Sequence, residues 1–152
     1  VIELTSRSAA ETEELGAALA RLLAPGDVVL LVGGLGSGKT TLVKGVARAL
    51  GYKGEVTSPT FTLTHVYDSA PRLVHADLWR LDRVAEVEQL ALDEEADSVV
   101  VVEWGEAAAD VFGGAALTVT IETLDDETRR ILLDTAAAPW SGRATELERV
   151  LS

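Results

Sequence analysis

Val28-Val29-Leu30-Leu31-Val32-Gly33-Gly34-Leu35-Gly36-Ser37-Gly38-Lys39-Thr40-Thr41 is the stretch on which the reading of this chain turns. Residues 28–32 are wholly apolar, rich in β-branched side chains, and bounded by Pro25-Gly26 on one side and glycines on the other. That is the signature of a buried strand. From Gly33 the residues GGLGSGKT fit the spacing G-x-x-x-x-G-K-[ST], in which glycines let successive backbone N–H groups turn toward a polyphosphate. Beyond it, Leu42, Val43, Val46, Ala47 and Leu50 recur at helical spacing as far as Gly51, a residue suited to a helix C-cap. A loop between a strand and a helix N-terminus favours anions twice, through its amides and through the helix dipole. A glycine-rich turn that happens to end in Lys-Thr is the bland alternative. With glycine at about 7% of ordinary sequence, the pattern arises by chance in under roughly 1% of chains of this length, and the strand-loop-helix context lowers that further. The expectation is a nucleotide site built from Leu35, Gly36, Ser37, Gly38, Lys39, Thr40 and Thr41. Lys39 is placed to reach the β- and γ-phosphates, Thr40 to offer its hydroxyl to Mg²⁺, and Thr41 to cap the α-phosphate.

Composition narrows the class. The 152 residues suit one domain, residues 1–152, burying about two-thirds of its unfolded surface. Apolar residues at 47% and charged residues at 25% are globular values. The apolar stretches fall short of a bilayer span and the first residues carry no leader pattern, so a cytoplasmic protein without a membrane role is expected. The absence of cysteine excludes a disulfide framework, thiolate zinc and a cysteine nucleophile. Net charge is −12, and Lys39, Lys44 and Lys53 are the only lysines. A nucleic-acid binder needs a basic surface to release counterions, so the chain is not expected to bind nucleic acid strongly by itself.

The remaining elements follow from periodicity. Val1 to Thr5 reads as an edge strand. Ser8 to Glu11 has capping-box spacing before Leu15, Ala18, Leu19, Leu22 and Leu23, a first helix ending at Pro25-Gly26. Tyr52 to Ser58 is a polar connection, and Pro59 to Tyr67 and Leu73 to Leu78 form a strand pair about a turn at Asp68 to Pro71. Asp82 opens a short acidic helix through Leu92. Asp97 to Glu103 holds the second strongly apolar run, Ala116 to Glu122 and Thr128 to Asp134 make a hairpin, and a last helix spans Arg143 to Leu151. The implied architecture is α/β, a three-layer sandwich like that of P-loop NTPases, with a mixed sheet parallel around the loop and antiparallel at the hairpins.

Hydrolysis needs a metal carboxylate beside the loop. Glu103 is the first candidate, because the run Val99 to Val102 ends on it at the mouth of a buried strand; the alternative is merely the first solvated residue after a strand. Asp77 is the second, sharing a strand face with His75 while Val74, Ala76 and Leu78 share the other. His75 alone reads more readily as a hydrogen-bonded structural histidine than as a base. Ser58-Pro59-Thr60-Phe61-Thr62 suits a γ-phosphate sensor and equally a turn. The chain contains no asparagine, so the Asn-Lys-x-Asp element that reads guanine is missing and adenine is the expected base.

GGLGSGKTTLVKG, SPTFTL at Ser58 to Leu63, HADLWRL at His75 to Leu81 and VEWGE at Val102 to Glu106 together resemble, in order and spacing, the bacterial TsaE (YjeE) family. These are small P-loop ATPases required for threonylcarbamoyladenosine in tRNA, and the resemblance runs from the first helix to the last hairpin. It implies ATP or ADP on the loop and Mg²⁺ at Thr40 and Glu103. It also implies that Lys39, Asp77 and Glu103 serve hydrolysis and that Thr12 lies near the adenine. Trp104 and Ser58 to Thr62 become functional surface. Arg129 or Arg130, opening the last strand, is implied to reach nucleotide; spacing does not choose between them, and Arg130 is taken as the candidate. The implied partners are TsaD and TsaB, whose complex the family resets between cycles, with weak hydrolysis by the isolated protein. Two positions depart from the family pattern: Gly34 stands where Asp is usual, removing a carboxylate beside the phosphates, and Trp79 replaces Tyr.

Two other classes compete with an ATPase of that machinery. A small-molecule kinase would pass the γ-phosphoryl to a substrate hydroxyl, but no Arg-rich lid segment is visible beyond the neighbours Arg80 and Arg83. A nucleotide-gated assembly module would bind ATP and partner with little turnover.

Overall fold

The apolar run after Asp27 forms a strand with a parallel neighbour on each side, the environment in which a continuous apolar sequence is stable. The computed structural model describes residues 1–34, 36–57, 64–78, 97–104, 115–136 and 139–152. Within them the chain runs β1 (Ile2–Ser6), α1 (Ala9–Ala20), β2 (Val28–Val32), α2 (Lys39–Ala49), β3 (Thr64–Tyr67), β4 (Arg72–Asp77) and β5 (Ser98–Glu103). It continues through β6 (Leu117–Thr123), β7 (Arg129–Asp134), a 3₁₀ turn (Trp140–Arg143) and α3 (Ala144–Leu151). Leu35, Ser58 to Leu63, Trp79 and the helix expected from Asp82 to Leu92 lie outside the described residues.

The sheet order is β1-β7-β6-β2-β5-β4-β3. β2 pairs parallel with β5 and β6, and β4 pairs parallel with β5. β7 pairs antiparallel with β6 and β1, and β3 with β4. The mixed, partly parallel α/β sheet expected from the sequence is therefore the one observed.

Both faces of the sheet are buried. Val29, Leu31, Leu73, Val99 and Val101 pack with Leu19, Leu42, Val43 and Val46 of α1 and α2 in the larger cluster. Leu30, Val74, Ala76, Leu78, Val100 and Val102 form the second cluster on the opposite face. The β4–β5 register sets Asp77 beside Glu103 and His75 beside Val101. This alternation directs the two acids and the histidine toward the face that carries α2.

Helices α1 and α2 meet backbone to backbone. A Cβ on Gly16 would collide with the Leu42 carbonyl oxygen, and one on Gly45 with the Glu13 carbonyl oxygen. That close approach brings the start of α1 next to the loop. Ser8 Oγ accepts from the Glu11 N–H at 3.1 Å, satisfying a donor that the first turn leaves open, and the Glu11 carboxylate accepts from the N–H of Arg7, just before the cap, at 2.6 Å. The helix stops at Ala20, earlier than the expected end at Pro25. Arg21, Leu22 and Leu23 donate to carbonyls three residues back, at 3.0–3.2 Å, the tighter geometry in which a helix unwinds. Leu23 stays buried, which is why it reads as helical in the sequence.

Near the C-terminus, Trp140 is fully buried and its indole N–H donates to the Ala115 carbonyl at 3.0 Å. Arg143 lies over that ring at 4.6 Å and pairs with Asp27 at 2.7 Å. The Asp27 carboxylate also accepts from the Ala24 N–H at 2.7 Å, fixing the turn that aims β2.

Candidate functional site

The loop leaves the C-terminal end of β2 and enters α2 through two residues that only glycine adopts readily, Gly36 at φ 73° and Gly38 at φ 105°. Gly38 immediately precedes the helix, so Lys39 and Thr40 occupy its first turn. Lys39 is buried, and its ammonium donates to the Gly33 and Gly34 carbonyls at 2.7 and 2.8 Å. The same nitrogen stands 3.8 Å from the centroid of the Trp104 ring, within cation–π range. Trp104 holds φ 59°, a left-handed conformation that costs a non-glycine residue roughly 1–2 kcal/mol. The strain falls on the residue after Glu103, where β5 ends against the loop.

Thr40 Oγ1 lies 3.0 Å from each oxygen of Glu103 and donates to that carboxylate. Glu103 is buried and also receives His75 Nε2 at 2.5 Å. His75, completely buried, faces the Tyr67 hydroxyl through Nδ1 at 3.2 Å, and that hydroxyl lies 3.2 Å from the Thr57 carbonyl, to which it donates. Burial pushes the Tyr67 phenol up to about 12. Asp77, also buried, is the register neighbour of Glu103.

On the other side of the loop a cleft of about 250 Å³ is lined by Thr12, Gly36, Ser37, Thr41, Asp126 and Arg129, among others. Thr12 is buried on α1, with its hydroxyl 2.7 Å from Ser6 Oγ. Arg129 reaches across from β7: Nε donates to the Ser37 carbonyl at 2.9 Å and Nη2 to the Gly36 carbonyl at 3.3 Å. Its Nη1 also donates to the Asp125 carbonyl at 2.7 Å, so the guanidinium joins the β6–β7 turn to the loop. Of the two arginines it is Arg129 that reaches the loop, and Arg130, the expected candidate, is engaged elsewhere. Successive strand residues point to opposite faces, and Arg130 is held by Glu122 at 2.5 and 2.8 Å, a pairing that raises its pKa.

These residues fit a polyphosphate with Mg²⁺. The loop amides and Lys39 supply positive charge at a helix N-terminus, and Ser37 Oγ is buried with no hydrogen-bond partner among the described residues. Thr40 and Glu103 place one hydroxyl and one carboxylate together. Among the described residues no cluster of three His, Asp or Glu could hold a metal. Mg²⁺ requires none, since it takes one or two carboxylates with phosphate and water.

The structure thus brings Lys39, Thr40, Glu103 and Asp77 to one side of the loop and Thr12 and Thr41 to the other. Sequence reasoning left Arg129 undecided, read His75 as a hydrogen-bonded structural histidine without naming its partners, and gave no sign of the Lys39–Trp104 contact. The available signal for His75 was its strand parity with Asp77, which the β4–β5 register converts into a contact with Glu103.

Comparison with known proteins gives a consistent result. The family profile described as "Threonylcarbamoyl adenosine biosynthesis protein TsaE" matches residues 6–131. A Streptomyces coelicolor protein named tRNA threonylcarbamoyladenosine biosynthesis protein TsaE is 42% identical, covering 84% of this chain and 93% of its own length. A Bacillus subtilis protein of the same name is 35% identical over 91% of this chain and 89% of its own. The crystal structure of Bacillus subtilis YdiB superposes with a TM-score of 0.80 at 30% identity, covering 97% of this chain and 94% of that one.

Proposed function

Because this chain belongs to the TsaE family of threonylcarbamoyl adenosine biosynthesis proteins, we propose that it is the ATP-binding and hydrolysing subunit of the bacterial machinery that places threonylcarbamoyladenosine in tRNA. In this reading residues 1–152 act as one ATPase domain, in the cytoplasm where tRNA is modified, together with TsaD and TsaB.

The observation that carries the proposal is the contact of Thr40 with Glu103, 63 positions apart and 3.0 Å from hydroxyl to carboxylate. It sets a carboxylate from the end of β5 against a hydroxyl in the first turn of the helix that follows the phosphate loop, a combination suited to Mg²⁺. Lys39 and the loop amides bind the β- and γ-phosphates, Thr41 meets the α-phosphate, and the cleft beside Thr12 takes the nucleoside. Thr40 and Glu103 hold Mg²⁺, which when bound neutralises charge on the phosphoryl oxygens. Asp77, beside Glu103, is the polar group near the phosphates on which hydrolysis depends.

Arg129 spends its donors on backbone carbonyls of the loop and of the adjoining turn. It therefore supports the loop rather than the transferred phosphoryl, and such a transition-state arginine is worth ~10³-fold or more in rate. The site is completed by partner protein, and net charge of −12 opposes direct engagement of tRNA. Phosphate release by the purified chain should be slow and should rise at least about tenfold with TsaB and TsaD, while tRNA alone gives no comparable rise. Full activity of the isolated chain, or transfer to a small-molecule hydroxyl, would return the kinase reading to first place.

A further inference from the structure

We propose that His75 and Tyr67 are positioning residues: they form a buried hydrogen-bonded strut from the Thr57 carbonyl to Glu103 that holds the Glu103 carboxylate at Thr40. The inference rests on the reading of Thr40 and Glu103 as the metal pair and adds the residues that set its geometry.

The strut has four members and is buried from Tyr67 to Glu103, with the exposed Thr57 at its outer end. The Tyr67 hydroxyl meets the Thr57 carbonyl and His75 Nδ1, both at 3.2 Å, and His75 Nε2 meets Glu103 Oε2 at 2.5 Å. His75 is completely buried, Glu103 and Tyr67 nearly so. Packing fixes the phenol, whose ring lies 4.7 Å from that of Tyr52 and 6.0 Å from the imidazole of His65. His75 and Tyr67 occupy neighbouring strands: Tyr67 of β3 is in register with Leu73, two residues before His75. The carboxylate sits at the end of β5, in register with Asp77 at the end of β4, so its side chain has no further strand residue beyond it to hold its rotamer. His75 Nε2 meets Oε2 while Thr40 Oγ1 lies 3.0 Å from both oxygens, so the carboxylate is fixed between the two, and the second ring nitrogen of His75 rests against the phenol oxygen. Hydrogen-bonded partners behind a ligating carboxylate orient it and strengthen the metal site.

The test is nucleotide affinity with and without Mg²⁺. ADP dissociation constants are measured by calorimetry in Mg²⁺ and in EDTA for wild type, His75→Asn, His75→Gln and Tyr67→Phe. The quantity read is the affinity gained on adding Mg²⁺, which a variant that is merely less stable retains. His75→Asn withdraws the donor from Glu103 and should lose about tenfold of that gain, with the EDTA affinity unchanged. His75→Gln, whose longer amide restores a donor near the Nε2 position, should recover most of it. Tyr67→Phe removes one oxygen while keeping the ring packing, and should lose a smaller, measurable part. Should His75→Asn fail to fold, the Tyr67→Phe comparison decides. A full Mg²⁺ gain in folded His75→Asn or in Tyr67→Phe would overturn the strut while leaving the metal pair standing. If wild type itself gains nothing from Mg²⁺, the metal pair and the strut fall together.

Discussion

Lys39 Nζ stands 3.8 Å above the ring of Trp104, and the same ammonium donates to two carbonyls of its own loop. The one lysine of the phosphate loop is thus held beside the residue that follows Glu103, and the contacts Lys39–Trp104 and Thr40–Glu103 join the start of α2 to the end of β5. This arrangement holds the loop lysine's charge at the mouth of the loop, and in the proposed reading that charge is pre-positioned for the β- and γ-phosphates.

Replacing it should be costly. Lys39→Ala removes a charge-assisted contact of about 1.5–3 kcal/mol, and ATP affinity measured by calorimetry should fall roughly tenfold or more. An unchanged dissociation constant in a folded variant would remove the phosphate-loop assignment.

The two adjacent arginines should separate cleanly. Arg129 donates to the Gly36 and Ser37 carbonyls, so Arg129→Ala unpins the loop and should weaken nucleotide binding by about fivefold, the worth of one net hydrogen bond. Arg130 is occupied by Glu122, and Arg130→Ala should leave nucleotide affinity unaltered. Equal effects of the two substitutions would show that the loop does not depend on the Arg129 clamp.

The parts of the fold legible in the sequence are those in which composition and geometry coincide. Val28 to Val32 and Val99 to Val102 are apolar on both faces because the central parallel strands are buried on both faces. Gly36 and Gly38 appear where positive φ demands glycine, and Gly33 where the Ile121 carbonyl and the Ser37 side chain approach closely, whereas Gly34 meets neither demand. What stayed hidden depends on register. Whether Arg129 or Arg130 faces the loop is a matter of strand parity, which the pairing of β7 with β6 and β1 decides. Likewise His75 acquires a partner only once β4 is aligned with β5. The left-handed Trp104 has no local signature, since tryptophan does not favour that conformation, and the surrounding contacts impose it.

Alkaline pH offers a check on the buried phenol. An unfolded tyrosine ionises near 10, whereas Tyr67 is pushed up to about 12, chiefly by burial. Its neutral form contributes stability that is fully present below about pH 10 and is lost as pH rises toward 12, because the unfolded chain releases the proton first. Across that window wild type should lose stability faster than Tyr67→Phe, by at most about 1.4 kcal/mol per pH unit for one proton, in denaturant titrations at stepped pH. Parallel pH profiles for the two proteins would mean that Tyr67 is not shielded from solvent.

The most direct measurement of the central claim is phosphate release by Glu103→Ala in the complete complex with TsaD and TsaB, with nucleotide affinity determined in parallel. Glu103 receives the Thr40 hydroxyl at 3.0 Å, and its proposed role is to hold the metal that would neutralise charge on the transferred phosphoryl. The variant should therefore still bind nucleotide, through the loop and Lys39, while partner-stimulated hydrolysis is abolished and binding no longer responds to Mg²⁺. Phosphate release at the wild-type rate, with the Mg²⁺ response intact, would contradict the account and reduce Glu103 to the terminus of a buried strand.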